Sequence, residues 1–207
     1  MNTTNDKRRE LAELELRARK LQEELAGEEI APFQPTGYYA AYYATTGFML
    51  GIFGAMSSLL FNIVGSALVG QHPLELIRVY LTFPLGDKAL GLDSRLALVV
   101  GCCLYLGTGM LLGIPVYLAL TYWTAGASLA KRLLVASLVS LLIWVIMYYG
   151  ILSWLQPALV DMKPENEIIH RVPPWVAALT HLVFGWTIAV LYPLGDFRAY
   201  RRPTDQV

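Results

Sequence analysis

Residues 96–124 read LALVVGCCLYLGTGMLLGIPVYLALTYWT, 29 consecutive positions without Asp, Glu, Lys or Arg. An α-helix needs roughly 20 apolar residues to cross about 30 Å of hydrocarbon, so this stretch is long enough to span a bilayer. Working outward, three more charge-free stretches appear at 31–74, 133–160 and 172–195. Spans are therefore expected near 42–69, 96–124, 134–157 and 173–193. In lipid every backbone amide must find its partner inside the protein, and apolar runs of this length do so as helices. The expected fold is all-α, an integral membrane four-helix bundle.

Composition agrees. Of 207 residues 56% are hydrophobic and 15% charged, against about 25% charged in an ordinary soluble domain. Such hydrophobicity is incompatible with a disordered chain. Two adjacent cysteines, Cys102 and Cys103, cannot frame a disulfide scaffold. Lys plus Arg equals Asp plus Glu at 16 each, so the basic surplus that phosphate neutralisation requires is missing and nucleic acid is not an expected partner.

That zero net charge conceals a segregation. Residues 1–30 carry eight acidic and six basic side chains, leaving eighteen charges for the rest. The polar start lacks the apolar core of a signal peptide, so the first span is expected to direct insertion. With four spans the termini share a side with the loop at Lys131 and Arg132. That side holds eleven Lys and Arg against five on the other, which by the positive-inside rule puts both termini in the cytoplasm, as in a bacterial inner-membrane protein. Tyr38, Tyr39, Tyr42, Tyr43, Tyr122, Trp123, Trp154 and Trp175 fall at the expected boundaries, as an aromatic belt does.

Three regions follow: residues 1–37, a cytoplasmic N-terminal amphipathic helix with a stiff connector at Pro32 and Pro35; 38–197, the transmembrane domain; and 198–207, a cytoplasmic tail. Within the first, Leu11, Leu14, Ala18, Leu21 and Leu25 recur at alternating steps of three and four, the seam of a short coiled coil. Fewer than three heptads are not stable alone. A basic face would suit a membrane surface, but this helix is mildly acidic, so a protein partner is expected.

The first span carries Gly47, Gly51, Ala55, Ser58, Asn62 and Ser66 on one face, with Gly54 and Gly65 beside them. Small residues on a stripe let two backbones approach; ordinary tight packing within the bundle is the simpler reading of this and the other stripes, and the accessory-subunit reading has this one receive a neighbouring subunit. The second span has Gly101, Gly107, Gly109 and Gly113 before a bend at Pro115. The fourth has Ala177, His181, Gly185 and Ala189. The third, with Leu141–Ile146, is bulky all round and is expected to face lipid or another subunit. Residues 73–84, bounded by Pro73 and Pro84, are too short to cross and suit an interfacial or re-entrant helix that also binds neighbours. Phe83-Pro-Leu-Gly-Asp87 and Tyr192-Pro-Leu-Gly-Asp196 read as two similar turn signals.

Candidate chemistry centres on His181, the one such ionisable group inside a span. Counting depth at 1.5 Å per residue brings His181, Asn62, Cys102, Cys103 and Tyr149 to one level, roughly 10–12 Å below the outer surface. The sharp version is a polar pocket for haem, quinone or a metal. The simpler version, preferred here, is interhelical hydrogen bonding of His181 to Asn62 or Tyr149, worth roughly 0.6–2 kcal/mol, with no cofactor. Haem held by two imidazoles needs a second buried His. Quinone-reducing thiol oxidases commonly need exposed CxxC pairs. No GxSxG, P-loop or HExxH motif is present, so no catalytic or metal-ligating residue is assigned. Ion-coupled carriers usually keep carboxylates or Lys in the bilayer, and here the spans hold none.

The expected role is a non-catalytic accessory subunit of a larger bacterial membrane complex, respiratory or otherwise energy-converting. Its contacts with other membrane-protein subunits would run through Leu11, Leu14, Leu21, Leu25, Gly47, Gly51, Ala55 and Ser58. The first alternative is a small oligomeric channel or transporter for an uncharged solute; the second is a subunit binding a cofactor or quinone around His181.

Overall fold

The computed structural model describes residues 3–27, 36–91, 94–161 and 163–196, and these are helical with no strand among them. The connector at Pro32 and Pro35, the side chain of Leu25 and the tail 198–207 lie outside the described residues. Two compact units are distinguished, Met1–Tyr38 and Tyr39–Val207.

The first unit contains α1 (Thr3–Gly27), one uninterrupted helix. Leu11, Leu14 and Leu21 are each more than half exposed, and so is Leu16 off the seam.

In chain order the second unit runs through α2 (Thr36–Leu68) from Tyr39 onward, then α3 (Glu75–Leu85), α4 (Arg95–Thr124), α5 (Leu129–Val145), α6 (Ser153–Leu159), α7 (Ile168–Arg171) and α8 (Pro174–Leu191). A π-helical stretch, Ile146–Leu152, joins α5 to α6 without a break. Four segments are long and apolar enough to cross a membrane: Tyr39–Leu68, Arg95–Thr124, Leu129–Leu159 and Pro174–Gly195. The chain is a multi-pass helical membrane bundle.

The third span starts five residues before its expected boundary at 134, because Lys131 and Arg132 sit inside the first turns of α5. The Arg132 guanidinium lies 4.5 Å over the Tyr192 ring, a cation–π contact that accommodates the charge at the helix end.

The small-residue stripes pack within the bundle rather than on a neighbouring subunit. The first-span stripe does not await a neighbour: it is filled by this chain. A methyl group placed on Gly47 would lie 2.7 Å from the carbonyl oxygen of Gly113, and one on Gly51 would meet the backbone of Gly109 and Met110. Ala55 and Ser58 are each 1% exposed. The opposite face of α2, with Met49, Phe53, Met56, Leu60, Val64 and Leu68, points outward. The third span does expose Leu134, Leu138, Leu142, Val145 and Ile146, as its bulky run leads one to expect, but its other face is engaged. Ala136 and Ser140, four residues apart, form a small patch on α5 that packs on Gly185 of α8. The bulky run 141–146 masked that patch because it lies mostly beyond it. In lipid, van der Waals packing rather than hydrophobic burial drives such contacts, so backbone proximity decides them.

Residues 73–84 are likewise engaged within the chain. Ile77, Val79, Leu81 and Thr82 of α3 are buried, and Gly101 of α4 leaves the space that Ile77 and Leu81 occupy. The two Pro-Leu-Gly echoes both lead from an α-helix into a 3-10 turn, Gly86–Gly91 and Tyr192–Gly195. Only Gly86 turns left-handed, with φ 62°, a value that favours glycine.

At the end where α3, α6 and α7 meet, polar side chains knit a cap. Gln156 is fully buried; its Nε2 donates to Thr82 Oγ1 at 2.9 Å and its Oε1 accepts the Ile168 N–H at 3.0 Å. The Tyr148 hydroxyl reaches the carbonyls of Ile169 and Val172 at 2.7 and 2.6 Å. Arg171 pairs with Glu75 at 3.2 Å, and Asn166 donates to Asp87 at 3.0 Å.

Candidate functional site: a cavity between the spans

Beneath the cap, α2, α4, α5 with its π-helical continuation, and α8 line a half-open cavity of about 510 Å³. That is within the usual range for small-molecule sites, roughly 300–1,000 Å³. Its walls are mainly apolar: Leu104 and Leu112 from α4, Ile143 from α5 and Phe184 from α8, with Phe83 and Ile168 at the cap end. The π-helical stretch contributes Met147, Tyr148, Ile151 and Leu152. A π turn takes more residues than an α turn and so changes which side chains face inward; such insertions occur frequently at functional sites.

The polar groups on the wall are mostly paired with one another. Ser58 donates to the Ala55 carbonyl at 3.0 Å, which leaves the Tyr105 hydroxyl to donate to Ser58 Oγ at 2.9 Å. Thr108 donates to the Leu104 carbonyl, so the Tyr80 hydroxyl donates to Thr108. Thr180 donates to the Val176 carbonyl at 2.8 Å and accepts from Asn62 Nδ2 at 2.9 Å. Tyr148 is taken up by the cap. Two groups stand apart. Ser140 Oγ is buried without a hydrogen-bond partner. His181 bonds through Nδ1 to the Ala177 carbonyl at 2.8 Å; a carbonyl only accepts, so Nδ1 carries the proton and the neutral ring keeps a lone pair on Nε2.

Of the five residues expected to share a polar pocket, only His181 lines the cavity. Asn62 is one step behind, holding Thr180. Cys102 packs on the cluster of Ile77, Leu81 and Ala89, and Cys103 is exposed. Tyr149 is 53% exposed and meets Trp144 and Tyr148 edge-on. The expected bonds from His181 to Asn62 or Tyr149 are replaced by one to its own helix. Counting residues ignores rotation about each helix axis, and the π-helical stretch puts Tyr148 rather than Tyr149 on the inner face. Ala55 and Ser58, expected at a subunit contact, line the cavity instead. Sequence reading missed Ser140, Tyr105, Thr108 and Gln156. The last carried a signal, as a lone amide in an otherwise apolar final turn before Pro157.

Fold and site define a four-span helical membrane protein with a capped, mainly apolar cavity between its spans. No protein-family model, curated protein or solved structure matches the chain.

Proposed function

We propose that the chain is a membrane-embedded binding subunit that holds a lipid-soluble molecule between its spans. The observation that carries this is the 510 Å³ cavity, walled by apolar side chains and closed at one end by a hydrogen-bonded cap. Dispersion contacts suit an apolar body, and the few polar groups suit orientation of a small head. Among the described wall residues no hydroxyl is hydrogen-bonded to His181, whose bond goes to the Ala177 carbonyl, so binding rather than bond cleavage is the role proposed. The test is extraction of the full chain into nanodiscs, organic extraction of the purified particles, and mass spectrometry against empty particles from the same lipids. A molecule enriched at about one per chain is the expected result. An extract identical to the bulk lipid would overturn it.

The subunit part of the proposal is favoured by α1, whose Leu11, Leu14 and Leu21 are exposed along a coiled-coil seam. In this proposal the chain is a non-catalytic member of a larger complex in a bacterial inner membrane, and α1 docks on a partner in the cytoplasm. Eleven Lys and Arg on the side of the termini against five on the other support that orientation. Reporter fusions at either terminus test it, and activity of an exported reporter there would reverse it.

A further inference from the structure

Contacts among the described residues close the cavity along most of its seams. Between α2 and α4, Gly51 and Ala55 lie directly against Gly109. Between α2 and α8, Gly54 meets the Phe184 ring and Asn62 holds Thr180. Ser140 on Gly185 closes α5 against α8, and the cluster of Tyr148, Val172 and Ala177 continues that closure towards the cap. Ile77 and Leu81 of α3 pack on Gly101 of α4, and Leu59 of α2 packs on the same cluster. The Gln156–Thr82 bond shuts the cap end. The seam between α4 and the third span is different. The two helices share a buried cluster of Val116, Leu120 and Ala136 towards their connecting loop, but further along the π-helical stretch packs on α7. Two rows of side chains border the gap this leaves: Leu104, Thr108 and Leu112 on α4, and Met147, Ile151 and Leu155 on the third span. All six line the cavity, yet none is fully buried, and Leu104 is 46% exposed. The half-open cavity opens here.

We propose that this gap is a lateral portal through which an uncharged lipid enters from the bilayer, its head in the cavity and its linear tail held between the two rows. This rests on the cavity-binding reading above and adds the route and the ligand class. The gap lies within the spans Arg95–Thr124 and Leu129–Leu159. It therefore faces hydrocarbon, and a tailed molecule reaches it without crossing water. From Leu104 to Leu112 the row runs about 12 Å at 1.5 Å per residue. One leaflet is about half of 30 Å deep, so a tail standing in its own leaflet matches the gap along its length. The wall carries no Asp, Glu, Lys or Arg. A charged head drawn into it would lose water and meet no opposing charge, which is costly.

The experiment uses the full chain in dioleoyl phosphatidylcholine nanodiscs and a monoacylglycerol whose tail carries a diazirine. After photolysis the labelled positions are mapped by peptide mass spectrometry. Labelling that excess monoolein suppresses is expected within residues 104–112 and 147–155. Lipid-facing positions such as Leu138, 62% exposed, should label without suppression. Met147→Trp and Ile151→Trp fill the gap and should each cut the suppressible labelling roughly tenfold, the loss expected when about two methylene groups of the tail leave the site. Leu138→Trp, on the lipid face of the same span, should leave it unchanged. Should the gap variants fail to fold, the map on the unaltered chain carries the comparison alone. Oleoyl lysophosphatidylglycerol, with the same tail and a charged head, should compete roughly tenfold less well than monoolein; equal competition would overturn the uncharged head. Suppressible labelling confined to cavity residues away from the gap, such as Phe184, and untouched by the gap variants overturns the portal and leaves the cavity reading standing. No suppressible labelling at any position overturns both.

Discussion

Gln156 and Thr82 meet across the cap, Nε2 donating to Oγ1 at 2.9 Å, while the same amide accepts the Ile168 N–H at 3.0 Å. One side chain thus ties the end of the third span to α3 and to the start of α7. Gln156→Met keeps the volume and strands the Ile168 N–H, so unfolding should become easier by about 2–4 kcal/mol. Thr82→Val should cost less, about 1–2 kcal/mol, since it removes one acceptor. Both are measured by denaturant titration in detergent micelles; a Gln156→Met protein as stable as the parent would show that the cap is not tied there.

Glycines on α4 divide by what surrounds them. A methyl group on Gly113 would run into the backbone of Gly47 and Gly51, whereas one on Gly107 meets nothing within 4 Å. Gly113→Leu should destabilise by more than about 3 kcal/mol, because only backbone movement could make room. Gly107→Ala should be neutral or gain up to about 1 kcal/mol through helix propensity. Thermal unfolding of the two purified variants checks the contrast, and equal transitions would disprove the close α2–α4 approach.

At the α5–α8 contact, Ser140 holds an unpartnered hydroxyl against Gly185. Without ligand, Ser140→Ala should unfold no more readily than the parent and gain up to about 1 kcal/mol, since a buried unsatisfied group is removed. Gly185→Ala should cost roughly 2–3 kcal/mol, as its methyl group meets the Ser140 side chain and lies 3.2 Å from the Ala136 carbonyl. Gly185→Ala combined with Ser140→Gly should recover most of that loss. Failure of the double variant to recover places the strain elsewhere.

The spans were readable because bilayer thickness acts on sequence length directly. Charge-free runs located all four to within three residues, except the start of the third, where Arg132 lies against Tyr192. Pairing was not readable. The stripe of Gly47, Gly51 and Ala55 announces close approach but not to which helix, because a partner within the chain and one outside it need the same small residues. The site was harder still. His181 stood out by residue type, yet its neighbours depend on rotation about each helix, and the π-helical turn at Ile146–Leu152 shifts that rotation. Ser140 carried no signal, since serine in a membrane helix ordinarily bonds its own backbone, as Ser137 does to Leu133.

Docking of α1 on a protein partner rests on Leu14 and Leu21, which lie two turns apart on one face and are each more than half exposed. Burying one leucine contributes about 1.5–3 kcal/mol, so the pair accounts for several kcal/mol of any coiled-coil association. Leu14→Asp with Leu21→Asp replaces that with two carboxylates that would have to be desolvated at the seam. Affinity purification of the tagged chain from its native membrane should therefore lose its co-purifying proteins. The thermal transition of the purified double variant should stay within a few degrees of the parent, which separates lost docking from lost fold. Retention of the same partners by the double variant would remove α1 as the docking element.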